Sequence, residues 1–226
     1  MRKTSKPKVM RIVPPEAPET DEYASGAPDL HGKFAHEDLR LRDMDLSEAA
    51  ASSVQLDRVV MERVGLGRAN LRAAVVQDAR FDGCDLAGSQ WDRAHLTRVE
   101  MDGCRLLGAS FARAGFSDLR VREANAEMAL FIGATFTAAR FEGCNFRGAS
   151  FEGADLRGVA FTDCDLRNAD LRDAQLDGAD LRGSSIAGVA LDLGRLRGLV
   201  LDAGQALDVV QQMGITIKPA EDAEQA

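Results

Sequence analysis

Four cysteines, Cys84, Cys104, Cys144 and Cys164, are the residues whose type and spacing most suggest chemistry, being separated by 20, 40 and 20 residues. A zinc site would need such ligands to converge tetrahedrally, and a disulfide would need Cβ atoms about 3.8 Å apart. The three histidines, His31, His36 and His95, have no evident acid or nucleophile partner. Carboxylates are abundant, but many lie two residues from an arginine, as in Asp155 with Arg157, Asp165 with Arg167, Asp170 with Arg172 and Asp180 with Arg182. That pattern describes a solvated, self-neutralising surface rather than a pair of catalytic acids. Glycine recurs at short, even intervals, and no glycine cluster follows a strand and opens a long helix as a phosphate cradle would. These residues point away from an enzyme, and no metal or cofactor is expected.

The elements that position these residues follow from a repeat. Nine of the ten phenylalanines, at 81, 111, 116, 131, 136, 141, 146, 151 and 161, share one phase of a five-residue period, and only Phe34 departs from it. In that phase, 33 positions from Leu41 to Leu201 are nearly all Leu, Phe, Met, Val or Ile, with Ala51, Ala126 and Trp91 as the deviants. Two residues earlier a second column is small, as at Ala69, Ala74, Cys84, Ser89, Ala149 and Ala179. Two residues later glycine recurs, as at Gly83, Gly103, Gly143 and Gly183, where a turn needs positive φ or close backbone approach. A period of five fits neither the 3.6 of a helix nor the unbroken alternation of a strand. Short strands joined by tight turns do fit, with the central and small columns inward. A unit with one large side chain cannot bury it alone, so the chain must stack on itself as a solenoid.

The segments A-D-L-R-G, A-N-L-R-A and C-N-F-R-G resemble the A(D/N)Lxx consensus of the pentapeptide-repeat family, with a register that covers residues 39–203. The resemblance implies an all-β solenoid, a right-handed quadrilateral β-helix with four pentapeptides per coil. The 33 repeats then make about eight coils, and the strand spacing of ~4.8 Å makes a rod roughly 40 Å long. In such a rod the four cysteines form a straight inward stack interrupted by Ala124. Parallel Cβ vectors hold neighbours near ~4.8 Å, so buried free thiols are expected. The weakest stretch is Phe116 to Phe131, where Val121 and Ala126 are undersized centres and Leu119 an oversized partner, so a local narrowing is expected there.

Outside the rod, residues 1–38, with Pro7, Pro14, Pro15, Pro18 and Pro28 among charges, read as a mobile, solvated N-terminal arm. After the rod, Asp202 can cap a helix over Ala203 to Met213 that Gly214 closes, and Ile215 to Ile217 reads as a short strand, so residues 204–218 form a helix and strand cap and 219–226 a disordered tail. Leu207, Val210 and Met213 form an apolar stripe. With Ile215 and Ile217 it either covers the rod's open end or, as in dimeric members of the family, joins two copies about a two-fold axis; the homodimer is the reading adopted.

A net charge of −8 argues against direct nucleic-acid binding, and no apolar run reaches the ~20 residues that span a bilayer. The start lacks an apolar leader, so a cytoplasmic protein is expected. Members of the Qnr and MfpA type, and of the albicidin- and cystobactamid-resistance type, bind DNA gyrase or topoisomerase IV and protect it from poisons. The resemblance to them, in long register and C-terminal helix, implies a non-enzymatic resistance or immunity protein that engages the topoisomerase as a partial DNA mimic. Residues 39–203 hold 21 Lys/Arg and 25 Asp/Glu, a net of −4 that is weak for a mimic of duplex DNA. Candidate contacts are the column Glu62, Asp82 and Asp102, with Glu100 and Glu142 nearby, and the outward apolar residues Met128, Leu130 and Ile132. The other reading is a scaffolding solenoid that binds a different protein.

Overall fold

The structure, a computed structural model, describes residues 11–28 and 35–217. His31, Phe34, the basic start before Arg11 and the tail 219–226 lie outside the described residues. Seven strands lie side by side in chain order in one sheet: β1 (Ala35–Arg42), β2 (Gln55–Glu62), β3 (Val75–Asp82), β4 (His95–Asp102), β5 (Gly115–Arg122), β6 (Thr135–Glu142) and the short β7 (Ala160–Thr162). Every pair is parallel, with residue i beside residue i+20, as Leu41 beside Met61 and Met61 beside Phe81. Two further ladders of single bridges, through Asp45, Gly65, Asp85 and Arg105 and through Ala50, Asn70, Gln90 and Ser110, keep the same step. Ladders at 45, 50, 55 and 60 recur every five residues, so each coil has four sides.

The seven strands span about six turns, and beyond β7 single bridges carry the 20-residue step on to Asp180 and Val200. β1 begins at Ala35, inside the segment read from sequence as the arm. Each long strand spans two pentapeptides and bends at a left-handed residue, among them Asp38, Arg58, Asp78, Arg98, Asp118 and Ala138, with φ between 50° and 56°. Glycines such as Gly83, Gly103 and Gly143 adopt positive φ as their recurrence suggested, but many arginines and aspartates share that conformation.

Every centre from Leu41 to Ile186 and every small-column residue from Val54 to Val189 is buried. Because like columns stack at strand spacing, aromatic centres lie face to face: Phe131 on Phe151 at 4.8 Å, Phe116 on Phe136 at 4.8 Å and Phe141 on Phe161 at 4.9 Å between ring centroids. Adjacent columns meet edge to face, as Phe141 and Phe146 do at 86°, and each such pair adds about 0.5–1.5 kcal/mol beyond burial. The stretch around Val121 and Ala126 keeps its pairing, with Leu119 between Val99 and Ala139 in an unbroken register. All four cysteines are buried and free. The neighbouring thiol and burial push Cys104 and Cys164 above the usual thiol range.

At the C-terminal end, helix α1 (Ala203–Gln212) opens on a capping box in which Asp202 accepts the Gln205 N–H and the Gln205 side chain accepts the Asp202 N–H. Gln205 Nε2 donates to Leu181 O at 2.6 Å and Ser184 O at 2.7 Å, and Val209 is buried, so this face of the helix closes the last coil. The strand expected at Ile215 to Ile217 does not form, since these residues have no neighbouring coil whose backbone they can pair with.

Trp91 breaks the aromatic pattern by bringing a polar atom inside, and its Nε1–H donates to Ser89 Oγ at 2.8 Å, which in turn donates to Leu86 O at 2.7 Å. Ser89→Ala leaves that indole N–H buried without an acceptor and is expected to lower the unfolding free energy by about 1–3 kcal/mol, read by chemical denaturation; Trp91→Phe in the same background should recover most of the loss.

Candidate interaction surface

The surface is organised by the same step of 20 residues as the core. In the register, Glu62 lies beside Asp82, Asp82 beside Asp102, and Glu142 follows one coil beyond Arg122. Glu62, Asp82, Asp102 and Glu142 therefore stand in one line, with Glu100 in the column of Arg80 and Arg120, and most of these carboxylates have a cation. Glu62 is held by Arg42 at 2.6 Å and Asp102 by Arg122 at 2.5 Å. Glu100 faces Arg80 at 3.4 Å, and Glu142 lies within 3.1 Å of Arg120 and 3.8 Å of Arg140. Asp82, exposed between two acidic neighbours, has no ion pair among the described residues. The apolar candidates Leu130 and Ile132 are 39% and 40% exposed and Met128 is 59% exposed.

Two modes of charge pairing divide the rod. In the later coils four aspartates bind the Arg two residues on, Asp155 with Arg157, Asp165 with Arg167, Asp170 with Arg172 and Asp180 with Arg182, at 2.5–2.6 Å, in the way their spacing suggests. These aspartates are held below the ordinary carboxylate range by their arginine hydrogen bonds. In the earlier coils the partner sits one coil away: Arg63 with Asp43, Arg68 with Glu48, Arg72 with Asp92 and Arg105 with Asp85. Local reading misses these pairs; the signal is opposite charge at a spacing of 20.

Residues 11–28 do not stand off as a free arm, and the column at 38, 58, 78, 98 and 118 explains why. Asp118 accepts the Val13 N–H, Asp78 the Glu16 N–H and Asp38 the Glu19 N–H, each at 3.0 Å. Three residues of strap thus match two coils of rod. Extended or polyproline backbone rises about 3.1–3.3 Å per residue, so three residues cover close to two strand spacings of ~4.8 Å. Prolines at 14, 15 and 18 favour that backbone and leave the needed N–H groups free at Val13, Glu16 and Glu19; Pro15 and Pro18 are buried. Further along, Ala24 N–H donates to Arg40 O at 2.8 Å and Tyr23 Oη donates to Glu62 at 2.5 Å, with the Arg42 guanidinium 3.8 Å above the tyrosine ring. The strap therefore engages Glu62, one of the acidic candidates, and its hydrogen bonds do not reach Leu130 or Ile132.

Asp78 is the strap's innermost anchor, 2% exposed, with Arg98 at 2.5 Å. Burial opposes its charge, but the Arg98 hydrogen bonds and the Glu16 N–H outweigh burial and hold the carboxyl below its ordinary range. Arg58 and the Glu19 N–H lower Asp38 to about 2.

The sequence pattern described as Pentapeptide repeat region matches residues 94–171 and 127–201. This chain carries a pentapeptide repeat region. Among solved structures, HetL, a pentapeptide repeat protein involved in heterocyst differentiation regulation from the cyanobacterium Nostoc, is similar at 19% identity and a TM-score of 0.43, over 75% of this chain and 87% of its own. Full-length QnrB1, a plasmid-mediated fluoroquinolone resistance protein, is similar at 17% identity and a TM-score of 0.39, over 81% of this chain and 100% of its own. No curated protein matches the sequence. Among the described residues of the repeat rod, no three His, Cys, Asp or Glu side chains are placed to share a metal ion, and no helix is long and apolar enough to cross a membrane.

Asp78→Ala strands the partly buried Arg98 guanidinium and is expected to cost about 3 kcal/mol of stability and to release the strap, read as fast hydrogen exchange at Glu16; Asp43→Ala, at a fully exposed pair, should leave the melting temperature nearly unchanged. Because the folded pKa of Asp38 and Asp78 lies below the ordinary value of 3.8, their contribution is complete above that pH and is lost as pH falls toward about 2. Acid titration followed by the Tyr23 NMR signals should report the strap loosening in that window.

Proposed function

We propose that this pentapeptide-repeat rod is a non-enzymatic binding protein that engages DNA gyrase or topoisomerase IV and confers resistance or self-immunity to a poison of that enzyme, acting as a partial mimic of DNA. The observation that carries the reading is the unbroken 20-residue register, which sets carboxylates along one line of a rigid rod at strand spacing, with Glu62, Asp82 and Asp102 in successive coils. A topoisomerase surface built to receive duplex DNA is cationic, and a stiff rod with regularly spaced carboxylates complements it. The resemblance of the repeat sequence to the topoisomerase-protecting members of the family supports the same assignment.

Mimicry is partial because arginines neutralise most of the line, which leaves Asp82 as its unpaired charge among the described residues. The exposed end favours a two-fold pair. Leu207, Met213 and Ile215 are each about half exposed and Ile217 is 44% exposed, while Val210 is partly covered and Val209 faces the rod. A second copy seated on this stripe would bury it and double the rod's length. The dense ion pairing favours a second reading, a scaffolding solenoid that binds another protein through specific contacts.

Supercoiling assays with purified gyrase, with and without a poison, decide between the two: inhibition or protection is expected, and the absence of binding, inhibition and protection would leave the scaffold reading. Asp82→Arg should weaken gyrase binding about tenfold with no loss of melting temperature, and unchanged affinity would dismiss the acidic line. Light scattering should give twice the chain mass for the native protein and a single chain for Leu207→Asp.

A further inference from the structure

Six arginines of the rod adopt the left-handed conformation that L side chains disfavour: Arg58, Arg63, Arg68, Arg93, Arg98 and Arg113. Four are bound by the acid one coil earlier, Arg58 by Asp38, Arg63 by Asp43, Arg68 by Glu48 and Arg98 by Asp78. Arg93 and Arg113 are not: the residue one coil before Arg93 is Ala73, and the one before Arg113 is Arg93 itself. The following coils place glycine at this position, as Gly133 and Gly153. Two like charges thus stack in successive coils at sites where glycine would be favoured, and neither has an anion among the described residues.

Both line a groove of about 470 Å³ along one corner of the rod, shared with Arg72, Ala73, Asp92, Ala112 and Ile132. Its one carboxylate is committed elsewhere, since Asp92 accepts from Arg72 at 3.0 Å and from the Ser110 hydroxyl. The stem of Arg113 runs over Gly133, where a Cβ would meet Arg113 Cγ at 3.7 Å, so the guanidinium projects beyond a surface kept low by glycine. Exposed Ile132 supplies the groove's large apolar side chain.

We propose that this groove docks an acidic polypeptide segment of a partner protein, its carboxylates on Arg93 and Arg113 and an apolar side chain on Ile132. Carboxylates on alternate residues of an extended chain lie about 6.6–6.8 Å apart on one face, within reach of two long stems rooted one strand spacing apart. A phosphodiester backbone has nothing to set against the apolar side chain of Ile132. The site lies on a different column from the acidic line and does not depend on the gyrase reading.

The test uses the full chain and a fluorescein-labelled peptide of alternating Asp and Leu, followed by fluorescence anisotropy at low salt. Binding is expected, and replacing Asp by Ser in the peptide should abolish it. Arg93→Gly with Arg113→Gly puts the favoured residue at both turns, so the melting temperature should hold while affinity falls at least about tenfold; Arg63→Gly, at a paired turn, should bind as the native protein does. Absence of binding to the native chain, equal affinity in the double variant, or tighter capture of a labelled oligonucleotide by the same arginines would each overturn the proposal.

Discussion

Backbone pairing between residue i and residue i+20 is the constraint on which the rest of this molecule depends. Each pentapeptide contributes one large inward side chain, too little to hold a turn, and gains stability only when the next coil covers it. The pairing is parallel and the coils are equal in length, so every side chain meets the same five-residue phase above and below. Repetition therefore acts along the rod axis. Phenylalanine at one centre favours an aromatic 20 residues on, as in the stack of Trp91, Phe111, Phe131 and Phe151. The interior admits a polar atom only with a partner from its own wall, which Ser89 supplies to Trp91.

The same rule applied to the exterior sets like charge against like unless the sequence changes sign from coil to coil. Early coils change sign, giving axial pairs such as Arg98 with Asp78; later coils place both members in one pentapeptide, as Asp170 with Arg172. Axial pairs such as Arg98 with Asp78 link successive coils. They also prepare the track for residues 11–28, because Asp38, Asp78 and Asp118 stand two coils apart and match the rise of an extended chain. The strap is thus a consequence of axial spacing rather than of its own propensity for regular structure.

A rod of this kind offers surfaces in place of a catalytic cleft, and its surfaces differ by column. One column carries acid, largely neutralised; another carries the strap; the corner of Arg93 and Arg113 carries unmatched positive charge beside apolar side chains; the C-terminal end carries an apolar stripe. Helix α1 closes the last coil with Gln205 and Val209 and turns Leu207 outward, so one short element serves both the core and the exterior.

The solenoid, its inward columns and the C-terminal helix with Asp202 as cap were legible along the chain, because each depends on a phase of five or on a local capping pattern; the four-sided coil was implied by the family resemblance and appears in the ladders at 45, 50, 55 and 60. Burial of the cysteines follows from the same phase. Contacts between coils and between distant segments were decided only by the tertiary structure. Residues 11–28 have no period, so nothing local tells that their N–H groups match an acidic column; the strand expected at Ile215 to Ile217 is absent because pairing requires a neighbour that local propensity cannot supply. The acidic line of Glu62, Asp82 and Asp102 was legible from spacing, and so were the flanking Arg80, Arg122 and Arg140; that Arg42 and Tyr23 hold Glu62 while Asp82 keeps no ion pair among the described residues depends on where the folded side chains and the distant strap lie.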